Sequence, residues 1–143
     1  MSENKPQVVV VPCSGIGKAA GSVAREVGYE LCDELRPDTT RLVALSKLVL
    51  GDQQARDQVR QRPVITIDGC KLTCAAKLVK HSGGTIARAV SVLDAYREHK
   101  ELKPDGIAEL NAEGKQLARI MAEQIAQAVD DLGRDTPSGG SHA

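Results

Sequence analysis

The sequence predicts an α/β fold of three layers. We expect a small parallel sheet of about four strands in the order 2-1-3-4, with helices on both faces and a further C-terminal helix. Two β-branched runs, at residues 8–11 and 64–67, are typical of strands buried on both faces. Apolar residues at three- and four-residue steps follow them, which is helical spacing. Strands that alternate with helices form parallel sheets with right-handed crossovers.

The first strand and helix are the clearest elements. The strand at 8–11 ends at Pro12, and a helix is expected from about Gly17 until Pro37 closes it. The apolar stripe of this helix consists of Ala20, Val23, Ala24, Val27, Leu31 and Leu35.

A second strand is predicted at 40–45, followed by irregular chain at 46–50. A polar helix then covers 51–61 and is stopped by Pro63. The buried strand at 64–67 comes next, and it is the expected centre of the sheet.

The second half predicts a short helix at 74–81, ended by two glycines, and a fourth strand at 85–93. Two helical segments follow, at 94–102 and from an Asn111 cap through Leu132. We expect the last helix to cover the sheet, with a homodimer seam as the alternative use of its apolar stripe.

The chain therefore predicts one α/β domain at 8–132, between a polar lead at 1–7 and a disordered tail at 133–143. Nineteen basic residues balance nineteen acidic ones, and Tyr29 and Tyr96 are the two aromatic residues. This composition argues against a nucleic-acid partner, which needs basic excess or aromatic stacking. The longest apolar run has four residues, too short for a membrane span. We expect a cytoplasmic protein.

The predicted fold brings three of the four cysteines towards the same edge of the sheet. Cys13 follows the first strand, Cys70 follows the central strand, and Cys74 begins the next helix. If the first and third strands are neighbours, both turns lie at the carboxyl edge of the sheet, where ligands gather in such folds. Thiols at this spacing suit zinc. An iron–sulfur cluster on the same cysteines is one alternative, and a metal-free thiol enzyme with Cys13 as nucleophile is another.

The turn after the first strand also predicts an anion site. Its residues are Ser14, Gly15, Gly17 and Lys18, which lead into the first helix. The free N–H groups and the positive dipole end of a helix favour a small anionic ligand, and the lysine would add charge.

Asp68 and Gly69 are interpreted as residues that orient the turn before Cys70. Cys32 lies about fifteen residues into the first helix, on the order of 22 Å from its start. We therefore expect an ordinary buried thiol there, outside the site. His81 is interpreted as a helix C-terminal residue rather than a ligand.

Three stretches, PCSGIGK, ELRPDTTRL and VITIDGCKLTCAAKLV, resemble the DGC domain family, named for its central Asp-Gly-Cys motif. The resemblance covers roughly residues 8–93 and implies zinc-ligand roles for Cys13, Cys70 and Cys74. Many members carry a further cysteine beyond the second strand, where this chain reads VALS at 43–46. The family is one of unknown function, so the resemblance implies no reaction.

Overall fold

The computed structural model describes residues 7–13, 19–69, 71–106 and 109–135. Its strands are β1 (Val8–Pro12), β2 (Thr40–Leu42), β3 (Val64–Asp68) and β4 (Ile86–Ser91). Its α-helices are α1 (Ala19–Tyr29), α2 (Leu45–Leu50), α3 (Gln53–Gln61), α4 (Cys74–His81), α5 (Val92–Glu98) and α6 (Ala112–Asp135). A π-helical segment, Glu30–Leu35, continues α1.

The four strands form one parallel sheet in the order β2-β1-β3-β4, which confirms the predicted fold class and strand order. Every residue of β1 and β3 is buried, as their β-branched runs indicate. Val10 pairs with Leu42 on one side and with Ile65 on the other. The carboxyl ends of β1 and β3 therefore lie side by side.

Helices cover both faces of the sheet. Right-handed crossovers place α1 on one face and α3 and α4 on the other. α6 packs against α1 and its π-helical continuation, and α4 packs against β3. The buried apolar stripe of α6 includes Leu117, Met121 and Ile125, so this helix covers the core, as predicted.

The region after the second strand differs from its prediction. β2 ends at Leu42 rather than at residue 45, and α2 replaces the irregular chain expected at 46–50. Leu45 and Leu48 are both buried. Residues three apart lie on the same side of a helix, so these two form the inward face of this short helix. Gly51, at a φ of 76°, then ends the helix. So short a stripe carries too few residues for its period to be recognised.

The predicted cap of the last helix is confirmed, since the Asn111 side-chain oxygen accepts a hydrogen bond from the Gly114 backbone N–H at 2.9 Å. The helix continues to Asp135, and residues 136–143 of the predicted tail lie outside the described residues. Within the described ranges, no helix combines the length and apolar character that a membrane span requires.

Candidate cysteine site at the carboxyl edge of the sheet

Cys13 follows β1 and lies against the turn that follows β3. Its backbone N–H donates to the Ile67 carbonyl at 2.8 Å, which extends the β1–β3 pairing by one residue. Its Sγ accepts a hydrogen bond from the Gly69 backbone N–H at 3.2 Å. Cys13 as a whole residue is 6% exposed. The strand order thus brings Cys13 against the Asp-Gly-Cys turn, as predicted from the adjacency of the first and third strands.

Gly69 allows this turn to approach the first helix. A Cβ on Gly69 would lie 2.8 Å from the carbonyl carbon and oxygen of Ala20 and from the nitrogen of Gly21. These are backbone atoms, so they could not move aside without shifting the helix. The glycine is therefore required by close packing against the first turn of α1.

Asp68 caps the helix that carries the next cysteine. One carboxylate oxygen accepts from the Ala75 N–H at 2.7 Å, and the other accepts from the Ala76 N–H at 3.2 Å. The carboxylate is buried, and it satisfies amides that α4 itself leaves without partners. These two hydrogen bonds join the end of β3 to the start of α4.

Cys74 is the first residue of α4 and is exposed. The residue before it, Thr73, has a φ of 51° and a ψ of 49°, a left-handed conformation that is uncommon for a β-branched side chain. Thr73 makes no side-chain cap to α4. Asp68 supplies the cap instead, from the strand that precedes the turn.

Several predicted site residues fall outside the described ranges. They are Cys70 and the four residues of the predicted anion turn, Ser14, Gly15, Gly17 and Lys18. Among the residues that the structure describes, no group of three or more Cys, His, Asp or Glu side chains is arranged to hold a metal ion. Of the three cysteines predicted to be metal ligands, Cys13 and Cys74 lie within the described residues.

Cys32 lies in the π-helical segment and is buried. Burial raises the pKa of its thiol from the ordinary 9.0 to about 11, Thr40 lowers it by hydrogen bonding, and Asp33 raises it further. Thr40 pairs with Val8 at the amino end of β1. Cys32 therefore belongs to the edge of the sheet opposite Cys13, as predicted.

Sequence reasoning missed a cleft beside Cys13. The cleft has a volume of about 140 Å³ and is bordered by the ends of β1 and β2, by α1 and by the start of α2. Arg25 and Tyr29 line it from α1, and Ser46 lines it from α2. The four-residue spacing of Arg25 and Tyr29 puts them on one face of α1. The neighbouring sequence does not indicate which other elements that face contacts.

A family model described as the DGC domain matches residues 9–129, which is most of the chain. The chain belongs to the DGC domain family. In this DGC domain, the motif's Asp68 ends β3 and its Gly69 donates to the sulfur of Cys13. No curated protein and no solved structure matches the chain significantly.

Proposed function

We propose that this DGC domain binds a zinc ion through the thiolates of Cys13, Cys70 and Cys74. One observation carries the proposal: the Gly69 N–H donates to the Cys13 sulfur at 3.2 Å. Gly69 directly precedes Cys70 in the sequence, so the Cys13 sulfur contacts the residue next to the second proposed ligand. Zinc binds thiolates at about 2.3 Å and therefore needs its sulfurs within a few ångström of one another.

The donor set fits zinc in a second way. A backbone N–H directed at a sulfur stabilises a thiolate and is a common outer contact of metal-bound cysteine. Cys13 is buried and Cys74 is exposed, so the proposed ion would bridge the interior of the domain and its surface. Three thiolate ligands would leave one position for water or another ligand, an arrangement more typical of catalytic zinc than of structural zinc.

The residues around the thiols have distinct tasks in this proposal. Asp68 holds the first amides of α4 and so sets where Cys74 lies relative to β3. Gly69 lets the turn pack on α1 while its N–H reaches Cys13. When bound, zinc would supply a Lewis acid at this edge of the sheet. A site of metal-ligating cysteines is typical of a reducing compartment, so we propose that the protein is cytoplasmic.

Two alternatives use the same thiols. An iron–sulfur cluster would be held by thiolates as well, and a metal-free enzyme would use Cys13, which borders the cleft, as a nucleophile. Metal analysis and visible absorption of protein purified with and without oxygen separate these. Stoichiometric zinc in colourless protein supports the proposal, whereas iron with visible colour, or folded protein that contains no metal, contradicts it.

Serine replacements of individual cysteines test the ligand assignment. We expect Cys13→Ser, Cys70→Ser and Cys74→Ser each to lower zinc content sharply, because a three-ligand site has no spare thiolate. Cys32→Ser is the matched control and should retain wild-type zinc, since Cys32 lies at the opposite edge. Zinc retained at full stoichiometry in Cys74→Ser would contradict the assignment, provided that circular dichroism shows each variant to be folded.

A further inference from the structure

The two outer strands of the sheet, β2 and β4, have different free edges. β2 has three residues, and the backbone N–H of its first residue, Thr40, already donates to the Arg36 carbonyl at 3.2 Å. So short a strand is poorly suited to pair with another chain. β4 has six residues, and no described strand pairs with its outer side. The β4 edge is therefore open to a further strand.

The hydrogen-bond pattern of the sheet shows which backbone groups of β4 point outward. The Cys13 N–H donates to the Ile67 carbonyl, so the backbone of Ile67 faces β1. Backbone groups of successive strand residues point to alternate sides, so those of Thr66 face β4. Thr66 pairs with Ala89, and in a parallel ladder it bonds to the residues on either side of its partner. The N–H and C=O of Ala89 therefore point away from β3, towards the free edge.

The middle of β4 is exposed on both faces. Ala87, Arg88 and Ala89 are all exposed, although successive side chains of a strand point to opposite faces. Exposed edge strands commonly carry a charged residue or a proline that blocks pairing. In β4 the charged residue is Arg88, and the two alanines leave room for a second backbone. A strand that pairs here must therefore bring a group that neutralises Arg88.

A groove of about 300 Å³ beside β4 contains the opposite charge. Arg88 lines it from β4, and Glu98 lines it from α5. Within the described part of the chain, neither side chain forms an ion pair, whereas Asp94, which also lines the groove, is paired with Arg97 at 2.9 Å. A surface with one unpaired cation and one unpaired anion is self-complementary when a second copy is related to it by a twofold axis.

We propose that the chain forms a homodimer in which β4 pairs antiparallel with β4 of a second copy. Ala89 lies opposite the second copy's Ala89, and the two residues exchange both N–H···O bonds. Arg88 then lies opposite the second copy's Val90, beside the groove that contains its Glu98. A register centred on Arg88 would instead place two guanidinium groups opposite each other, which is unfavourable. The dimer is one continuous sheet with four strands from each copy.

The grooves of the two copies contribute to the same interface. The twofold axis of an antiparallel strand pair is perpendicular to the sheet, so α5 and α6 of both copies lie on one face of the joined sheet. Stable dimers bury roughly 1,200–2,000 Å² in total, which is more than two short strands provide. Partly exposed side chains of the groove supply further contact, and they include Val90, Ala95 and Ala128.

This dimer differs from the predicted seam along α6 and does not depend on the proposed zinc site. Leu117 and Val129 of the α6 stripe are buried within their own chain, so they are not available to a second copy. β4 carries none of the proposed zinc ligands. The dimer should therefore persist when metal is removed.

Analytical ultracentrifugation of the full chain, with EDTA and a reducing agent present, tests the proposal. Protein at about 1–500 µM covers the affinities expected for an interface at the small end of the stable range. We expect a concentration-dependent species of twice the 15.2 kDa of one chain. The reducing agent excludes a disulfide through the exposed Cys74. A monomer throughout this range, or a dimer that EDTA abolishes, would overturn the proposal.

Ala89→Lys tests the position of the contact. It places two ammonium groups opposite each other across the twofold axis, so we expect the dimer dissociation constant to rise by about tenfold or more. Ala44→Lys is the matched control, because Ala44 is an exposed alanine that follows β2, at the other edge of the sheet. It should dimerise as the wild type does, and circular dichroism checks that both variants fold. Unchanged dimerisation of Ala89→Lys would place the contact on another surface and refute the assignment.

Charge reversals test the groove without changing the strand backbone. Arg88→Glu and Glu98→Arg should each raise the dissociation constant about 3- to 30-fold, because two symmetric ion pairs are lost in each dimer. The double variant exchanges the two charges and should dimerise nearly as well as the wild type. A double variant as weak as the single ones would refute the ion pair and, with it, the role of the groove in the interface.

Discussion

The backbone N–H of Gly69 donates a hydrogen bond to the sulfur of Cys13 across 3.2 Å, although the two residues are 56 positions apart in the chain. The contact exists because β1 and β3 are neighbours in the sheet and end at the same edge. It connects the end of the first strand with the Asp-Gly-Cys motif of the DGC domain.

Gly69→Ala should disrupt the contact. The added Cβ would lie 2.8 Å from backbone atoms of Ala20 and Gly21, so the turn must move away from α1. Overpacking of this kind costs about 1–3 kcal/mol of unfolding free energy. We also expect weaker zinc binding, because the turn carries Cys70. Urea denaturation and a competitive zinc titration measure the two effects.

Gly133→Ala is the matched control for that substitution. Gly133 lies in α6, and a Cβ there would have no atom within 4 Å. Alanine in a helix is favoured over glycine by roughly 0.5–1 kcal/mol, so this variant should be slightly more stable with unchanged zinc affinity. If Gly69→Ala behaved like Gly133→Ala, the close approach to α1 would not constrain the turn.

Asp68→Asn should destabilise the start of α4 and displace Cys74. The buried carboxylate accepts from the N–H groups of Ala75 and Ala76, and an amide would offer a single acceptor oxygen and no charge. Loss of a helix cap costs about 0.5–2 kcal/mol. We expect a loss in that range by urea denaturation, together with reduced zinc affinity by competitive titration.

Asp52→Ala distinguishes the loss of zinc affinity from the loss of stability, because alanine removes the cap of a helix that carries no cysteine. The Asp52 carboxylate caps α3 by accepting from the Ala55 N–H at 2.9 Å, and no cysteine lies in that helix. This variant should lose stability by a similar amount while binding zinc as the wild type does. Equal losses of zinc affinity in the two variants would mean that the effect follows from general destabilisation and not from the position of Cys74.

Because of the Cys32 thiol, the free energy of unfolding should fall as the pH becomes alkaline. Burial raises the pKa of its thiol from 9.0 to about 11 in the folded chain. Between those pH values the unfolded chain releases the proton and the folded chain keeps it, so unfolding becomes more favourable as pH rises. The protonated thiol therefore contributes roughly 2–3 kcal/mol to the free energy of unfolding. This contribution is fully present below about pH 9 and is lost by about pH 11.

Urea denaturation of wild type and Cys32→Ala at several pH values measures this contribution. The variant lacks the thiol, so the stability gap between the two proteins should narrow from pH 8 to pH 11 by roughly 2 kcal/mol. Taking the difference removes the titration of tyrosines and lysines that both proteins share. A gap that stays constant with pH would show that the Cys32 thiol is not protected from ionisation.

Most of the fold could be predicted from local patterns. The β-branched runs of β1 and β3 and the cap at Asn111 depend on residues close to them in the chain, and the alternation of strands and helices indicates a parallel sheet. The strand order does not follow from these local patterns, and the structure confirms the expected order 2-1-3-4. α2 was not predicted because its buried face has two residues, Leu45 and Leu48, which are too few to show a helical period. So short a helix is stabilised mainly by packing against the rest of the domain.

By itself, the sequence determined that this chain forms a parallel sheet and that Cys13 and the Asp-Gly-Cys motif each follow a buried strand. The tertiary structure alone decided that Asp68 caps α4, that Gly69 packs on the backbone of α1, and that Arg25 and Tyr29 border a cleft with Cys13. The physical reason is distance along the chain. Helical and strand periods are set by near neighbours, whereas these contacts join segments whose approach depends on how whole elements pack.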